Sequence, residues 1–169
     1  VLDEDWDNLI ILDACRYDMF AAQNSLDGRL ESRISRGSAT VEFLRGNVHD
    51  ADLQDTVYVT ANPKLTEHED IIDAAFHDVI NVWIDGWDDE RRTVLPETTT
   101  EFALEAAEQY PHKRLLVHYI QPHYPFLTEG TSPFDDRQAF ERPDEPGSWQ
   151  QVMNGTISTS AEQIWVAYR

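Results

Sequence analysis

The apolar run Leu9–Leu12, which ends at Asp13, constrains the fold of this chain more than any other feature. Four consecutive apolar residues are typical of a short strand that is buried on both faces, as in a parallel sheet covered by helices. In open α/β sheets, ligands bind at the carboxyl ends of the strands. Asp13, with Arg16 and Asp18 just after it, therefore indicates a site for a metal ion or an anion, and Arg16 is a candidate to bind a substrate anion. A solvated strand end would give the same pattern.

Strand-like and helix-like segments alternate along the rest of the chain. Further strands are expected at 56–60, 79–84 and 115–120. Helices are expected at 17–26, on a face formed by Ile71, Ile72, Ala75 and Phe76, from a cap at Thr98 or Thr99 to about 110, and at 161–168 after an N-cap at Ser160. This alternation predicts an α/β fold with a mostly parallel sheet and helices on both faces.

The length suits one domain over residues 1–169, with a loop-rich insert at about 122–159. The last predicted helix carries the apolar residues Ile164, Trp165, Val166 and Tyr168, and no element follows to cover them. From this pattern we expect a domain that is incomplete at its C-terminus.

The charge balance excludes several classes of partner. The chain has 32 acidic and 13 basic residues, a net charge of −19, and a hydrophobic fraction of 41% that is sufficient for a core. Binding to nucleic acid or to an anionic membrane needs a basic surface, so neither is expected. Acidic residues dispersed along a lysine-poor chain resemble proteins from salt-loving cells, in which high ionic strength screens the repulsion.

Targeting signals and cysteines give little further evidence about the compartment or the fold of the protein. The single cysteine, Cys15, cannot form an internal disulfide, and the N-terminus does not resemble a signal peptide. No apolar stretch approaches the ~20 residues that span a bilayer. We therefore expect a soluble, cytoplasmic protein.

A second informative segment, Ser35–Gly46, leads with small and hydroxyl residues into a short helix-like stretch. A hydroxyl at a helix N-terminus lies among unpaired N–H groups at the positive end of the dipole. That position suits an attacking oxygen, and also a bound phosphate or sulfate. Ser38 and Thr40 are the candidates, although a simple N-cap is the more common role of such residues.

A third segment, His118–Phe126, follows the fourth predicted strand. His123 should therefore emerge at the same edge of the sheet as Asp13. Because prolines at 122 and 125 stiffen its backbone, His123 is suited to bind an anion or to protonate a leaving group. His118 lies within the strand and is expected to pack in the core or to support the site from behind.

Three segments in order resemble the sulfatase-like branch of the alkaline phosphatase superfamily, in a subgroup of haloarchaeal type. They are Asp13–Asp18 (DACRYD), Ser35–Phe43 (SRGSATVEF) and His118–Phe126 (HYIQPHYPF). The linking segments Thr56–Pro63 and Val82–Trp87 are also similar to that subgroup, so the resemblance covers nearly the whole chain.

The resemblance implies an alkaline phosphatase-like fold and a two-metal hydrolase of sulfate or phosphate esters, with a small-molecule or glycan substrate. It assigns Asp13 to a divalent metal ion (Zn, Mn, Mg or Ca), Thr40 to the nucleophile with Ser38 as second choice, and His123 to the substrate's sulfuryl or phosphoryl group. In such a site the metal lowers the pKa of the hydroxyl and stabilises the attacking and leaving oxygens.

The chain departs from that family in three places. Ala14 follows Asp13 where sulfatases often have a second acid, and Cys15 is not in the context that is converted to formylglycine. Both departures weaken the case for sulfate esters and leave phosphate esters and diesters open. No Asp-His-Gly motif occurs before Arg169, so we expect the other metal ligands beyond it and poor catalysis by this chain alone. The alternative is a non-catalytic acidic α/β protein, a truncated or degenerate relative that acts through binding.

Overall fold

The computed structural model describes residues 4–127 and 160–168. The strands are β1 (Asn8–Leu12), β2 (Asp52–Thr60), β3 (Ala75–Asn81), β4 (Trp87–Asp88), β5 (Thr93–Val94) and β6 (Arg114–Tyr119). The helices are α1 (Tyr17–Gln23), α2 (Thr40–Val48), α3 (Lys64–Glu67), α4 (Glu69–Ile72), α5 (Val82–Asp85), α6 (Pro96–Gln109) and α7 (Ala161–Tyr168).

The main sheet has four strands in the order β1-β6-β2-β3, and all three pairings are parallel. The two-residue strands β4 and β5 form a separate antiparallel pair. The predicted α/β fold with a mostly parallel sheet is therefore confirmed.

Successive side chains of a strand point to opposite faces, so each face of the central strands contributes to a core of its own. Helices pack against both of these cores. One face packs against α6 through a core that includes Val57, Val59, Leu115, Val117 and Ala106. The other packs against α2 and α4 through a core that includes Tyr58, Leu116, Leu44, Val48 and Ile72.

The expectation that the first strand is buried on both faces is wrong. β1 lies at the edge of the sheet and pairs with β6. Leu9 and Ile11 are half-buried against the α2 face, whereas Ile10 is 59% and Leu12 is 37% exposed. Within residues 4–127 and 160–168, no helix covers this outer part of the sheet, so the apolar run overstated its burial.

The segment before the third strand also differs from the prediction. Ile71 and Ile72 lie in α4, but Ala75 and Phe76 begin β3. Asp73 takes a left-handed conformation, with φ of 46°, which ends the helix and lets Ala75 pair with Asp52. The strand ends at Asn81, and the expected continuation to 84 is the short helix α5.

Helix ends follow local capping. α1 stops at Gln23 rather than at 26, because the Asn24 side chain accepts a hydrogen bond from Leu26 N at 3.0 Å and forms a turn. α6 begins at Pro96, before the expected Thr98 or Thr99 cap, since proline suits the first position of a helix. Ser160 caps α7 as predicted: its Oγ accepts from Gln163 N at 3.1 Å, and Gln163 Oε1 accepts from Ser160 N at 2.8 Å.

Most of the predicted loop-rich insert, residues 128–159, lies outside the described part of the chain. The Tyr168 hydroxyl of α7 donates to the carbonyl of Ala14 at 2.5 Å and accepts from Arg16 N at 3.1 Å. This helix therefore contacts the turn after β1. No helix among the described residues is both long enough and apolar enough to cross a bilayer.

Candidate functional site

The site forms where the face under α2 reaches the carboxyl ends of β1 and β6. Ile11 and Asp13 lie on the same side of β1, and Ile11 pairs with His118 of β6. Thr60 of β2 pairs with the same histidine from the other side. Thr40 is the first residue of α2, which covers this face. The register of three strands and the start of one helix therefore bring their polar residues together.

Asp13 is the centre of the cluster, and one of its oxygens is surrounded by donors. Oδ2 accepts a hydrogen bond from Thr40 Oγ1 at 3.0 Å and another from Asn62 Nδ2 at 2.7 Å. His118 Nε2 lies 3.6 Å from the same oxygen, which is slightly beyond hydrogen-bond distance. No hydrogen bond from residues 4–127 or 160–168 ends on Oδ1. The described residues therefore hold the carboxylate through Oδ2.

The surroundings keep Asp13 ionised. Burial by itself raises the pKa of this carboxyl, but the contact with His118, the nearby His123 and the Thr40 hydroxyl together bring the pKa below its ordinary value. Asp13 is thus a carboxylate at neutral pH and is suited to bind a cation or to accept a hydrogen bond.

The backbone after Asp13 is strained. Ala14 has a φ of 61°, a left-handed conformation that residues with a Cβ rarely adopt. The turn is held on both sides, since Cys15 N donates to Leu12 O at 3.2 Å and the Tyr168 hydroxyl donates to Ala14 O. Such outliers are concentrated at functional sites. Burial raises the pKa of the Cys15 thiol, which makes this cysteine a poor nucleophile.

His123 lies at the same edge of the sheet. Its backbone N–H is directed at the carbonyls of Asp13, at 3.1 Å, and Ile120, at 2.9 Å. Its Nδ1 lies 2.6 Å from the carbonyl of Tyr124, which requires a proton on that nitrogen. Its Nε2 is therefore the ring atom available to a ligand.

The structure places the other two predicted residues farther from this centre. Ser38 donates both its N–H, at 2.9 Å, and its hydroxyl, at 2.8 Å, to Glu42 Oε2. Arg16 is exposed, pairs with Asp18 at 2.7 Å and lies over the ring of Trp165. Arg16 does not line the cleft described next, although Ser38 does.

A cleft of about 920 Å³ opens over the cluster and is lined by Asp13, Thr40, His118 and His123. Its wall also contains three permanent cations, Arg33, Arg36 and Lys64. Asp13 is the one carboxylate among the described residues that line it. In a chain with a net charge of −19, the residues that line this cleft thus include more basic than acidic side chains.

The cations of the cleft differ in how they are neutralised. Arg33 pairs with Glu4 and Glu31, and Lys64 pairs with Glu67 at 2.5 Å. Arg36 donates to the carbonyl of Gly46 at 2.9 Å and forms no ion pair with a described residue.

Comparison with known protein families, with characterised proteins and with solved structures found no match. The candidate site is therefore interpreted from its own geometry and from the sequence motifs.

A second group of potential metal ligands lies at the other end of α2. His49, Asp50 and Asp73 each place a ligand atom within 4.8 Å of the others, and all three residues are exposed. His49 Nδ1 is already held by the carbonyl of Ile72 at 3.2 Å. The sequence analysis did not predict this group, and it includes none of the residues of the Asp13 cluster.

Two contributors to the cluster were not predicted from the sequence. Asn62, interpreted only as part of a turn signal, donates to Asp13 and also accepts from Lys64 N at 3.0 Å. Tyr58, interpreted only as a strand residue, has its hydroxyl 2.6 Å from His118 Nδ1. Both contacts depend on the pairing of β2 with β6, which no local sequence pattern specifies.

Proposed function

We propose that this chain forms the substrate and metal cleft of a metal-dependent hydrolase that acts on sulfate or phosphate esters. The observation that carries the proposal is the 3.0 Å hydrogen bond from Thr40 Oγ1 to Asp13 Oδ2 within the cleft. A hydroxyl in the first turn of a helix, held by an ionised carboxylate, is well placed to act as a nucleophile.

The Asp13 carboxylate, with Oδ2 held by hydrogen bonds, would suit one hard divalent cation. Oδ2 is fixed by its hydrogen bonds, as is usual for a carboxylate that binds a metal, and Oδ1 accepts none from the described residues. Mg²⁺ and similar cations commonly bind one or two protein carboxylates together with water and substrate oxygens. When bound, such a cation would lower the pKa of a coordinated hydroxyl and neutralise charge on the transferred group.

Residues of the chain itself would carry out the attack on the ester and the proton transfers. The Thr40 oxygen would bond to the sulfur or phosphorus atom and give up its proton, the bond from that atom to the ester oxygen would break, and the ester oxygen would take up a proton and leave as an alcohol. Water would then cleave the threonyl ester, which releases sulfate or phosphate and restores the Thr40 hydroxyl. Asp13 accepts the Thr40 O–H and fixes its direction. Because Nδ1 of His123 donates to the Tyr124 carbonyl, Nε2 is the ring nitrogen that would take up a proton in the site and pass it to the leaving oxygen.

The charge of the cleft supports an anionic substrate. Three cations and a single carboxylate line it, and Arg36 has no acidic partner among the described residues. A sulfate or phosphate ester would find in Arg36 a cation that no acidic side chain among the described residues neutralises.

We further propose that the chain has an alkaline phosphatase-like architecture. In support, an aspartate follows the first strand, a hydroxyl begins a helix and a histidine follows the last strand of the sheet, all at one edge. These residues lie in the same order as the motifs on which the family resemblance rests.

The test is turnover of aryl sulfate and aryl phosphate esters by the complete gene product in molar KCl, with Mn²⁺, Zn²⁺, Mg²⁺ or Ca²⁺ added. Thr40→Ala should lower kcat by about 10³-fold or more, as removal of a nucleophile does. Thr100→Ala on α6, where the hydroxyl donates to Pro96 O at 2.8 Å, is the matched control and should retain activity.

The result also separates the alternatives. Full activity in Thr40→Ala, or its loss in Ser38→Ala alone, would contradict the assignment of Thr40. Binding of sulfate or phosphate esters without turnover under any of these metals would favour the non-catalytic binding protein.

A further inference from the structure

A buried polar pair lies directly behind the site. The side chain of His118 is 1% exposed, and that of Tyr58 is fully buried and stacks on Phe76. The Tyr58 hydroxyl lies 2.6 Å from His118 Nδ1, and His118 Nε2 has no hydrogen-bond partner among the residues that the structure describes. Buried polar atoms without a partner are rare, so this histidine calls for an explanation.

The direction of the Tyr58–His118 hydrogen bond follows from two observations. A phenol O–H is a better donor than an imidazole N–H, and burial raises the pKa of Tyr58 so that the phenol keeps its proton. Nδ1 is then the acceptor, and the proton of a neutral His118 lies on Nε2. Independently, Nε2 faces the negative Asp13 Oδ2 at 3.6 Å, where a proton is favoured over a lone pair.

We propose that Tyr58 is a positioning residue for the site: it fixes His118 as the Nε2–H tautomer, so that an N–H and not a lone pair faces Asp13 Oδ2 at 3.6 Å. His118 N–H, Asn62 N–H and Thr40 O–H then all face Oδ2 of the same carboxylate. Two of these groups donate hydrogen bonds to the carboxylate and the third places its N–H toward it; polar contacts of this kind fix the direction of a carboxylate and set how well it binds its ligand. The effect of Tyr58 on turnover rests on the proposed hydrolase function, but the tautomer of His118 does not.

The tautomer is tested on the wild-type chain by long-range ¹H–¹⁵N NMR of the histidine rings in molar KCl. We expect His118 to show an unprotonated Nδ1 and a protonated Nε2, while the exposed His112 serves as a reference for an averaged ring. A protonated Nδ1 with a free Nε2 would overturn the proposal.

The role of Tyr58 is tested with Tyr58→Phe, which keeps the ring and removes the hydroxyl. We expect His118 to populate both tautomers and kcat of the complete gene product to fall about tenfold at saturating metal with KM little changed. Tyr110→Phe, which also removes a hydrogen-bonded hydroxyl, here to Asp78 at 2.5 Å, should leave the His118 signals and kcat unchanged.

The outcomes distinguish the two proposals. An unchanged His118 spectrum in Tyr58→Phe would overturn the positioning role, whatever the enzyme activity. The expected tautomer in a protein that turns over no ester would support the pair and reject the hydrolase function. The wild-type spectrum decides the tautomer even if Tyr58→Phe fails to fold.

Discussion

At the scale of single residues, Asp13 and Ala14 show how the site is built. Asp13 accepts hydrogen bonds from Thr40, at the start of α2, and from Asn62, after β2, and Ala14 bears the backbone strain that turns the chain away from β1. A left-handed conformation costs a residue with a Cβ about 1–2 kcal/mol, whereas glycine adopts it freely. The turn therefore keeps an alanine where glycine would be less strained.

This strain predicts an unusual sign for an alanine-to-glycine change. Ala14→Gly should stabilise the fold by up to about 1 kcal/mol, because relief of strain outweighs the added freedom of the unfolded chain. Ala21→Gly, the same change within α1, should destabilise it by about 0.5–1 kcal/mol. Denaturant unfolding at fixed salt measures both variants, and a clear loss of stability in Ala14→Gly would show that Ala14 is unstrained.

At the scale of elements, the parallel sheet organises the molecule. Its central strands β2 and β6 are buried on both faces, and each face is covered by different helices. Leu116 is in the core beneath α2, next to the site, whereas Leu104 of α6 is 63% exposed. The two leucines therefore have very different packing although both lie in regular structure.

Truncation of these two leucines should separate core from surface. Leu116→Ala should lower the free energy of unfolding by about 2–5 kcal/mol, because it leaves a cavity between β6 and α2. Leu104→Ala should change it by less than about 0.5 kcal/mol. Thermal or urea unfolding in the same buffer compares them, and equal losses would contradict this assignment of the core.

The sequence predicted the elements well where the apolar pattern was strong. The strands around 56–60 and 115–120 and the Ser160 cap were expected, since these segments bury their side chains or carry a capping box. The start of β3 was not predicted, because Ile71, Ile72, Ala75 and Phe76 have helical spacing although Asp73 ends the helix between them.

The site could be predicted only in part for a related reason. Asp13, Thr40 and His123 each follow a strand or begin a helix, so their placement at one edge follows from the parallel sheet. The contacts of Asn62 and Tyr58 with this cluster depend on strand register across β2 and β6, which is a tertiary property.

At the scale of the whole molecule, charge dominates. The net charge is −19, and Asp13 is the one acid among the described residues that line the cleft. Repulsion between these acids extends over a Debye length of about 10 Å at 0.1 M salt and about 3 Å at 1 M. The folded state should therefore depend on ionic strength more than that of a neutral protein.

We expect the melting temperature to rise steeply with KCl up to about 1 M and then to level off, because screening is nearly complete at that point. Thermal melts followed by circular dichroism, at about ten KCl concentrations from about 0.05 to 3 M, would resolve this shape. A flat curve would reject the role of charge, and a rise confined to salt above about 1 M would indicate general salting-out instead.

We propose that Asp13, and not the exposed group at His49, Asp50 and Asp73, binds the metal ion. The most direct measurement is paramagnetic broadening of assigned amide signals by substoichiometric Mn²⁺ in wild type, Asp13→Asn and Asp73→Asn. We predict that the amides of residues 13–15, 39–41 and 62 broaden first, that Asp13→Asn abolishes this, and that Asp73→Asn does not. Broadening confined to the amides around 49–50 and 72–73, lost in Asp73→Asn and kept in Asp13→Asn, would contradict the account.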